Sequence, residues 1–352
     1  ISLFSDSVYI DRLSRIPAIM EMPYNDIIRK FIDMYAGRLR NQVSFMLSAC
    51  NFYMPIFEEA LDAYGLPLEL RYLPIIESAL NPSAVSRAGA SGLWQFMIGT
   101  GKIYGLESNS LVDERRDPIK ATWAAARYLK EMYDIYGDWN LVIAAYNCGP
   151  GTINKAIRRA NGETDYWKIY NYLPKETRGY VPAFIAANYV MTYYCDHNIC
   201  PMETNIPAST DTVQVNKNLH FEQIADLCNV PLDQIKSLNP QYKKQMIPGD
   251  SKPYTLRLPI DAISTFIDKQ DTIYTHRADE LFRNRKTVAV KDITPATRKT
   301  TSAVAGKGNL TYYTIKSGDT LSTIARKYGV TIKDIQRWNG MSSTKIDRKS
   351  VV

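Results

Sequence analysis

Long apolar runs are missing from this 352-residue chain, and no stretch reaches the roughly 18 residues that a membrane-spanning helix needs. Histidine is scarce, with three in all, and the five cysteines (Cys50, Cys148, Cys195, Cys200, Cys228) show no zinc-ligand spacing. No metal site and no cofactor are therefore expected. Cys195 and Cys200 are near enough in sequence to bridge in an oxidising compartment, a pairing the sequence leaves open. Acidic residues are almost absent between Leu281 and Gly308, where seven Lys and Arg face Asp292 alone. That stretch carries +6 of the net +7, so the basic balance belongs to a tether and not to a nucleic-acid-binding face. Such a tether can lean on an anionic surface, such as a membrane or wall polymer.

What is present is core-forming material. Hydrophobic residues make up 45% of the chain, which excludes wholesale disorder, and the length suggests two or three domains. The first residue is Ile1 and not Met, so the expectation is that an N-terminal piece, with any signal peptide or lipid anchor, has been removed. Membrane anchoring would lie there; oligomeric state is not readable.

Residues 1–60 mix charged and apolar residues at helical spacing, with Ile27, Ile28, Phe31, Ile32 and Tyr35 as one stripe and Val43, Met46 and Leu47 as another. They read as a helical brace without chemistry. From Gly65 the character changes. Pro67 suits a helix start and Pro74 a restart, and the apolar run of residues 74–76 ends on Glu77. A turn crowded with small residues follows (Ala84, Ser86, Ala88, Gly89, Ala90, Ser91), allowing close backbone approach. It leads into Trp94, Gln95 and Met97. A carboxylic acid in a dry setting, beside an amide and flat apolar walls, is what acid-catalysed cleavage of a sugar polymer requires. Asp117 and Pro118 open the next helix and Gly137 closes it. Asp113, Glu114 and Asp117 read as caps and surface ion pairs. A helix from Trp139 puts Tyr146 and Asn147 in its last turn, and a closing helix over 176–194 carries Tyr180 near its start.

After Pro201 small strand–helix–helix–strand modules repeat. Ile224-Ala225 aligns with Ile324-Ala325, and Leu238-Asn239 with Trp338-Asn339, about a hundred residues apart. A Thr-, Ala- and Lys-rich linker lies between them.

Taken together, Glu77-Ser78, Gly92 to Met97, Ala144 to Asn147 before Gly149-Pro150, and Glu176-Thr177 before Tyr180 resemble the catalytic domain of the soluble-type (family 1) lytic transglycosylases. The repeats resemble LysM modules, and the whole order is similar to the membrane-bound lytic transglycosylase D group. The resemblance implies a mainly α fold: a goose-type lysozyme-like catalytic domain at 61–200 behind the 1–60 brace. It adds α+β LysM-like modules at 205–262 and 310–352, separated by a basic linker at 263–309. Departures are Cys148 at a small-residue position, Asn218 to Phe221 in place of the Gly-Asp-Thr-Leu signature, and a second module that runs out at Val352, whose last strand is expected to be cut short or altered.

The same resemblance implies the chemistry. Protonated Glu77 would donate to the glycosidic oxygen between N-acetylmuramic acid and N-acetylglucosamine. It would then take the C6 hydroxyl proton as a 1,6-anhydro ring closes, with a pKa raised to around 6 by burial. Ser78, Gln95, Met97, Tyr146, Asn147 and Tyr180 would bind substrate, Trp94 would pack beneath, and Gly318, Asp319, Thr320 and Leu321 would bind glycan in the second LysM module. The implied partner is peptidoglycan, and the implied place the periplasmic side of a bacterial envelope, with anchoring to the outer membrane. Deleting residues 205–352 would then spare turnover of small soluble muropeptides. The rival readings are a hydrolytic muramidase, needing Asp113, Glu114 or Asp117 as second carboxylate, and a non-catalytic glycan-binding scaffold.

Overall fold

The computed structural model describes residues 4–282, except 205 and 208, and 320–339, except 329. The chain divides into two compact units, Ile1–Asp292 and Ile293–Val352.

In the first unit, α1 (Asp6–Ser14), α2 (Asp26–Ala36) and α3 (Arg40–Ala63) form the expected brace. The stripe is buried at Ile28, Ile32 and Tyr35, and α2 packs along the closing helix. Glu69 fixes the segment between α1 and α2 by accepting from the Ile19 and Met20 amides at 2.6 and 2.8 Å. Pro67 opens a 3₁₀ turn at Leu68–Tyr72, and the chain restarts as α4 (Leu73–Ser78), with Pro74 near its first turn. After α5 (Ile98–Ile103) comes α6 (Pro118–Tyr136). The Asp117 carboxylate caps α6 by accepting from the Ile119 and Lys120 amides, and left-handed Gly137 ends it, as its sequence predicts. Next come α7 (Trp139–Cys148), α8 (Pro150–Arg159), α9 (Tyr166–Ile169) and α10 (Lys175–Tyr193). Their apolar faces meet in one core around Trp94, Phe57, Phe184 and Tyr189. Among the described residues no helix is long and apolar enough to cross a membrane, and no His, Cys, Asp and Glu cluster could hold a metal ion. Cys195 and Cys200 are exposed free thiols.

The LysM-like module follows in the same unit, as β1 (Thr210–Val215), β2 (Asn218–His220), α11 (Phe221–Cys228), α12 (Leu232–Leu238), β3 (Met246–Pro248) and β4 (Tyr254–Pro259). β1 pairs antiparallel with β4, Thr210 opposite Pro259, and β2 with β3, Asn218 opposite Pro248. Two sequence expectations change here. The basic linker does not begin at 263: α13 (Ile260–Asp268), α14 (Gln270–Thr275) and α15 (Ala278–Leu281) continue the fold, because Ala262, Phe266 and Ile273 bury against the module. Nor does the module stand apart from the catalytic region. Leu111 and Val112 lie in its core, Val112 bridges Tyr242, and the Asp113 amide donates to the Gln241 carbonyl at 2.9 Å.

In the second unit, α16 (Leu321–Tyr328) and α17 (Ile332–Asn339) enclose a small core of Leu321, Ile324, Ala325 and Ile335. They repeat α11 and α12 at the hundred-residue interval read from the sequence. Thr320 caps α16 by accepting from the Thr323 amide at 3.2 Å. In the first module the imidazole Nδ1 of His220 does the same for the Glu222 amide at 3.3 Å, so a different sequence keeps the helix start.

Candidate active site

α4 is short, and it ends by turning sharply. Ala79 and Leu80 both take left-handed backbone, with their amides donating to the Ile75 and Pro74 carbonyls at 3.1 and 3.3 Å. Two non-glycine residues in that region cost energy, which the surrounding core must hold in place. The turn leaves the side chain of Glu77, from the last turn of α4, in the wall of a cleft of about 410 Å³.

Gln95 also lines the cleft, from the turn Ser91 to Met97, which is pinned at successive carbonyls. Ser78 Oγ donates to the Leu93 carbonyl at 2.9 Å, and Tyr146 Oη to that of Trp94 at 2.7 Å. Arg115 Nη1 donates to the carbonyls of Phe96 and Gly89 at 2.9 and 2.8 Å. Gln95 sits left-handed at φ +49°, its Nε2 donating to the Gly92 carbonyl at 2.8 Å. Trp94 is fully buried beneath, its indole N–H donating to Thr122 Oγ1 at 2.9 Å, the packing role expected of it.

The electrostatics single out Glu77. Burial pushes its carboxyl up to about 7; the hydrogen bond donated by Tyr180 pulls the other way, and the charge of Glu176 adds to the rise. At neutral pH it is divided between acid and carboxylate. Burial, and then the nearby Glu77 charge, hold the Tyr146 and Tyr180 phenols far above their ordinary pKa, so both remain donors.

Of the residues expected at the site, Glu77, Ser78 and Gln95 line the cleft, Tyr180 touches Glu77, and Tyr146 lies within its electrostatic reach. Ser78 and Tyr146 hold the turn with their hydroxyls. Met97 and Asn147 are not in the cleft wall. Met97 is 46% exposed ahead of α5, which rules out core packing. Asn147 ties α7 to α10 by accepting from Thr177 Oγ1 at 2.9 Å. Leu321, expected at a glycan surface, is buried, Thr320 is an exposed helix cap, and Gly318 and Asp319 lie outside the described residues.

Reading the sequence missed two things. Glu176 stood in a quoted motif without a role, yet its charge reaches Glu77. Tyr35, Leu39, Gln42 and Met46, from the brace, supply a wall of the same cleft. The one sequence hint was a polar-tipped aromatic ending an apolar stripe, just before the Gly37 break.

The rival carboxylates are committed elsewhere. Asp113 is 1% exposed and paired with Arg115 at 2.8 Å; burial alone would raise its pKa, but Arg115 and then Lys243 bring it below its ordinary value. Glu114 is paired with Lys120 and accepts from the Glu107 amide, and Asp117 is the α6 cap.

Three families match along the chain: the Transglycosylase SLT domain at residues 54–169, the LysM-like domain of lytic transglycosylase MltD at 209–275, and the LysM domain at 313–347. Membrane-bound lytic murein transglycosylase D of Escherichia coli K12 is 31% identical over 331 residues, 93% of this chain and 68% of that protein. The soluble lytic murein transglycosylase of the same organism is 33% identical over 124 residues, 34% of this chain and 19% of its own length. A crystal structure of the 70 kDa soluble lytic transglycosylase of Escherichia coli aligns with TM-score 0.36 and 29% identity, covering 41% of this chain and 24% of that one. The chain belongs to the lytic murein transglycosylases, in the family of membrane-bound lytic murein transglycosylase D.

Proposed function

We propose that Glu77 works twice on the bond between C1 of N-acetylmuramic acid and O4 of N-acetylglucosamine in peptidoglycan. As the acid it protonates O4, and the C1–O4 bond breaks as the neighbouring acetamido oxygen bonds to C1. As the carboxylate it removes the proton from the C6 hydroxyl, whose oxygen displaces the acetamido oxygen and closes a 1,6-anhydro ring. Glu77 ends protonated and ready again, and no water is consumed. The observation that carries this is a carboxyl near pKa 7, the one carboxylate in the cleft wall among the described residues. A group divided between its two states at neutral pH can give and take a proton with little driving force lost either way. Tyr180 supports the carboxylate state by hydrogen bonding, while Gln95 and the pinned turn orient the saccharide. The deciding experiment is mass spectrometry of products from purified murein. Anhydro ends, lighter by one water than reducing ends, are expected, and reducing ends alone would refute the scheme.

The second unit and its basic tether serve as a wall anchor that raises the local concentration of catalytic domain at the polymer. Placement on the periplasmic face of the outer membrane accords with the family and with the substrate.

A further inference from the structure

The brace contributes more than packing. α2 ends at Ala36, and α3 starts at Arg40 after a corner at Gly37, where a Cβ would lie 2.8 Å from the Asp33 carbonyl oxygen. The corner turns the last turn of α2 and the first of α3 toward one cleft, so Tyr35, Leu39, Gln42 and Met46 face the wall that carries Glu77. Leu39 and Met46 are apolar, as ligand clefts mostly are; Tyr35 and Gln42 are the polar exceptions.

Tyr35 is 7% exposed and lines the cleft; among the described residues its hydroxyl has no hydrogen-bond partner, and it is not one of the fully buried polar atoms left without one, so the hydroxyl is where the side chain meets solvent. Its charge, were it ionised, would bear on Tyr180, the residue that donates to Glu77, so the two phenols are neighbours. Burial pushes Tyr35 up to about 12, so it is a proton donor at every working pH. Gln42 is exposed at the rim of the same cleft, with an amide that can both donate and accept. An unused donor in the cleft wall and an adaptable amide at its rim are suited to an N-acetylated sugar, whose acetamido and hydroxyl oxygens accept and whose acetamido N–H donates.

We infer that Tyr35 and Gln42 are substrate-positioning residues: the Tyr35 hydroxyl donates to an oxygen of the N-acetylhexosamine held beside Glu77, and the Gln42 amide engages the adjoining sugar at the rim. The inference rests on the glycan-cleaving reading above, and it makes α2 and α3 part of the substrate site.

The test separates this inference from that reading. Glu77→Gln protein, which does not turn over, is titrated with soluble oligomers of alternating N-acetylglucosamine and N-acetylmuramic acid, with and without Tyr35→Phe or Gln42→Ala. Each added change is expected to weaken Kd about three- to tenfold, within the reach of one hydrogen bond. The Tyr35→Phe thermal midpoint should be unchanged or higher, since the hydroxyl has no partner to lose. In otherwise wild-type protein, Tyr35→Phe should raise KM by a similar factor and leave the pH profile in place. Unchanged Kd and KM in both variants overturn the inference even if the parent makes anhydro ends. A lower midpoint with unchanged Kd assigns Tyr35 to packing and overturns its role. Weakened oligomer binding in a chain that forms no anhydro ends would sustain the inference while defeating the proposed reaction.

Discussion

The Tyr180 hydroxyl donates to Oε1 of Glu77, joining the first turns of α10 to the end of α4. The bond favours the carboxylate, whereas burial and the Glu176 charge favour the acid. The balance near pH 7 is thus a compromise that single substitutions can tip in either direction.

Activity that starts from protonated Glu77 falls as pH rises through about 7. Tyr180→Phe removes the contact that stabilises the anion, so the alkaline limb of kcat/KM should move to higher pH. Turnover should drop roughly ten- to a hundredfold, the loss of a hydrogen bond to a charged group. Glu176→Gln removes a negative charge, and the limb should move to lower pH with most of the activity kept. Opposite displacements in pH–rate profiles of the two variants are the expected result. Abolished activity in Glu176→Gln would instead favour a hydrolytic mechanism with Glu176 as its second carboxylate.

The same raised pKa costs stability. In the unfolded chain Glu77 titrates near 4.5, in the folded one near 7. The protonated group therefore supports the fold below the lower value, and that support is lost as pH rises through the upper one, by on the order of 3 kcal/mol. Glu77→Gln should match the wild type in urea unfolding at pH 4 and exceed it by roughly 1–3 kcal/mol at pH 8. A difference that does not grow with pH would count against an acid held in its protonated form by the fold.

How legible this was depended on the range of the forces involved. The start and end of α6 were readable because Asp117, Pro118 and Gly137 act on their own backbone. The hundred-residue repeat was readable because each module keeps its own apolar spacing. Glu77 stood out through company kept along the chain, but its partners did not. Tyr35 reaches the cleft by a corner at Gly37 and by the packing of α2 on α10, more than a hundred residues away in sequence. Likewise Asp113 and Arg115 look like surface charges until Lys243 and the turn at 89–96 close over them.

Gly92 is where that closure is tightest. At φ +88°, its position would place a Cβ 1.8 Å from the Arg115 carbonyl oxygen. Backbone cannot yield there without moving Arg115, which holds Gly89 and Phe96 on either side. Gly92→Ala should cost at least about 2 kcal/mol in unfolding experiments and reduce turnover through displacement of Gln95. A variant of parental stability and activity would show that the turn can open enough to admit a Cβ beside the Arg115 carbonyl.

Truncation separates the two LysM modules. Removing residues 293–352 takes away the second unit alone; it should leave the unfolding midpoint and the turnover of soluble muropeptides unchanged, and weaken retention on intact sacculi. Removing residues 205–352 is a different matter, contrary to the sequence expectation. It would bare Leu111 and Val112, break the bridge from Val112 to Tyr242, and strip Lys243 from its contacts with Asp113 at 3.7 Å and the Asn109 carbonyl at 2.8 Å. Asp113 positions Arg115, and Arg115 holds the turn that presents Gln95, so the loss travels to the cleft. The longer deletion should lower the midpoint by several degrees and cut turnover of small muropeptides. Lys243→Ala in the full chain should reproduce part of that fall in turnover with the second unit still present. Equal turnover by both truncated forms would show that the first module is only a passenger.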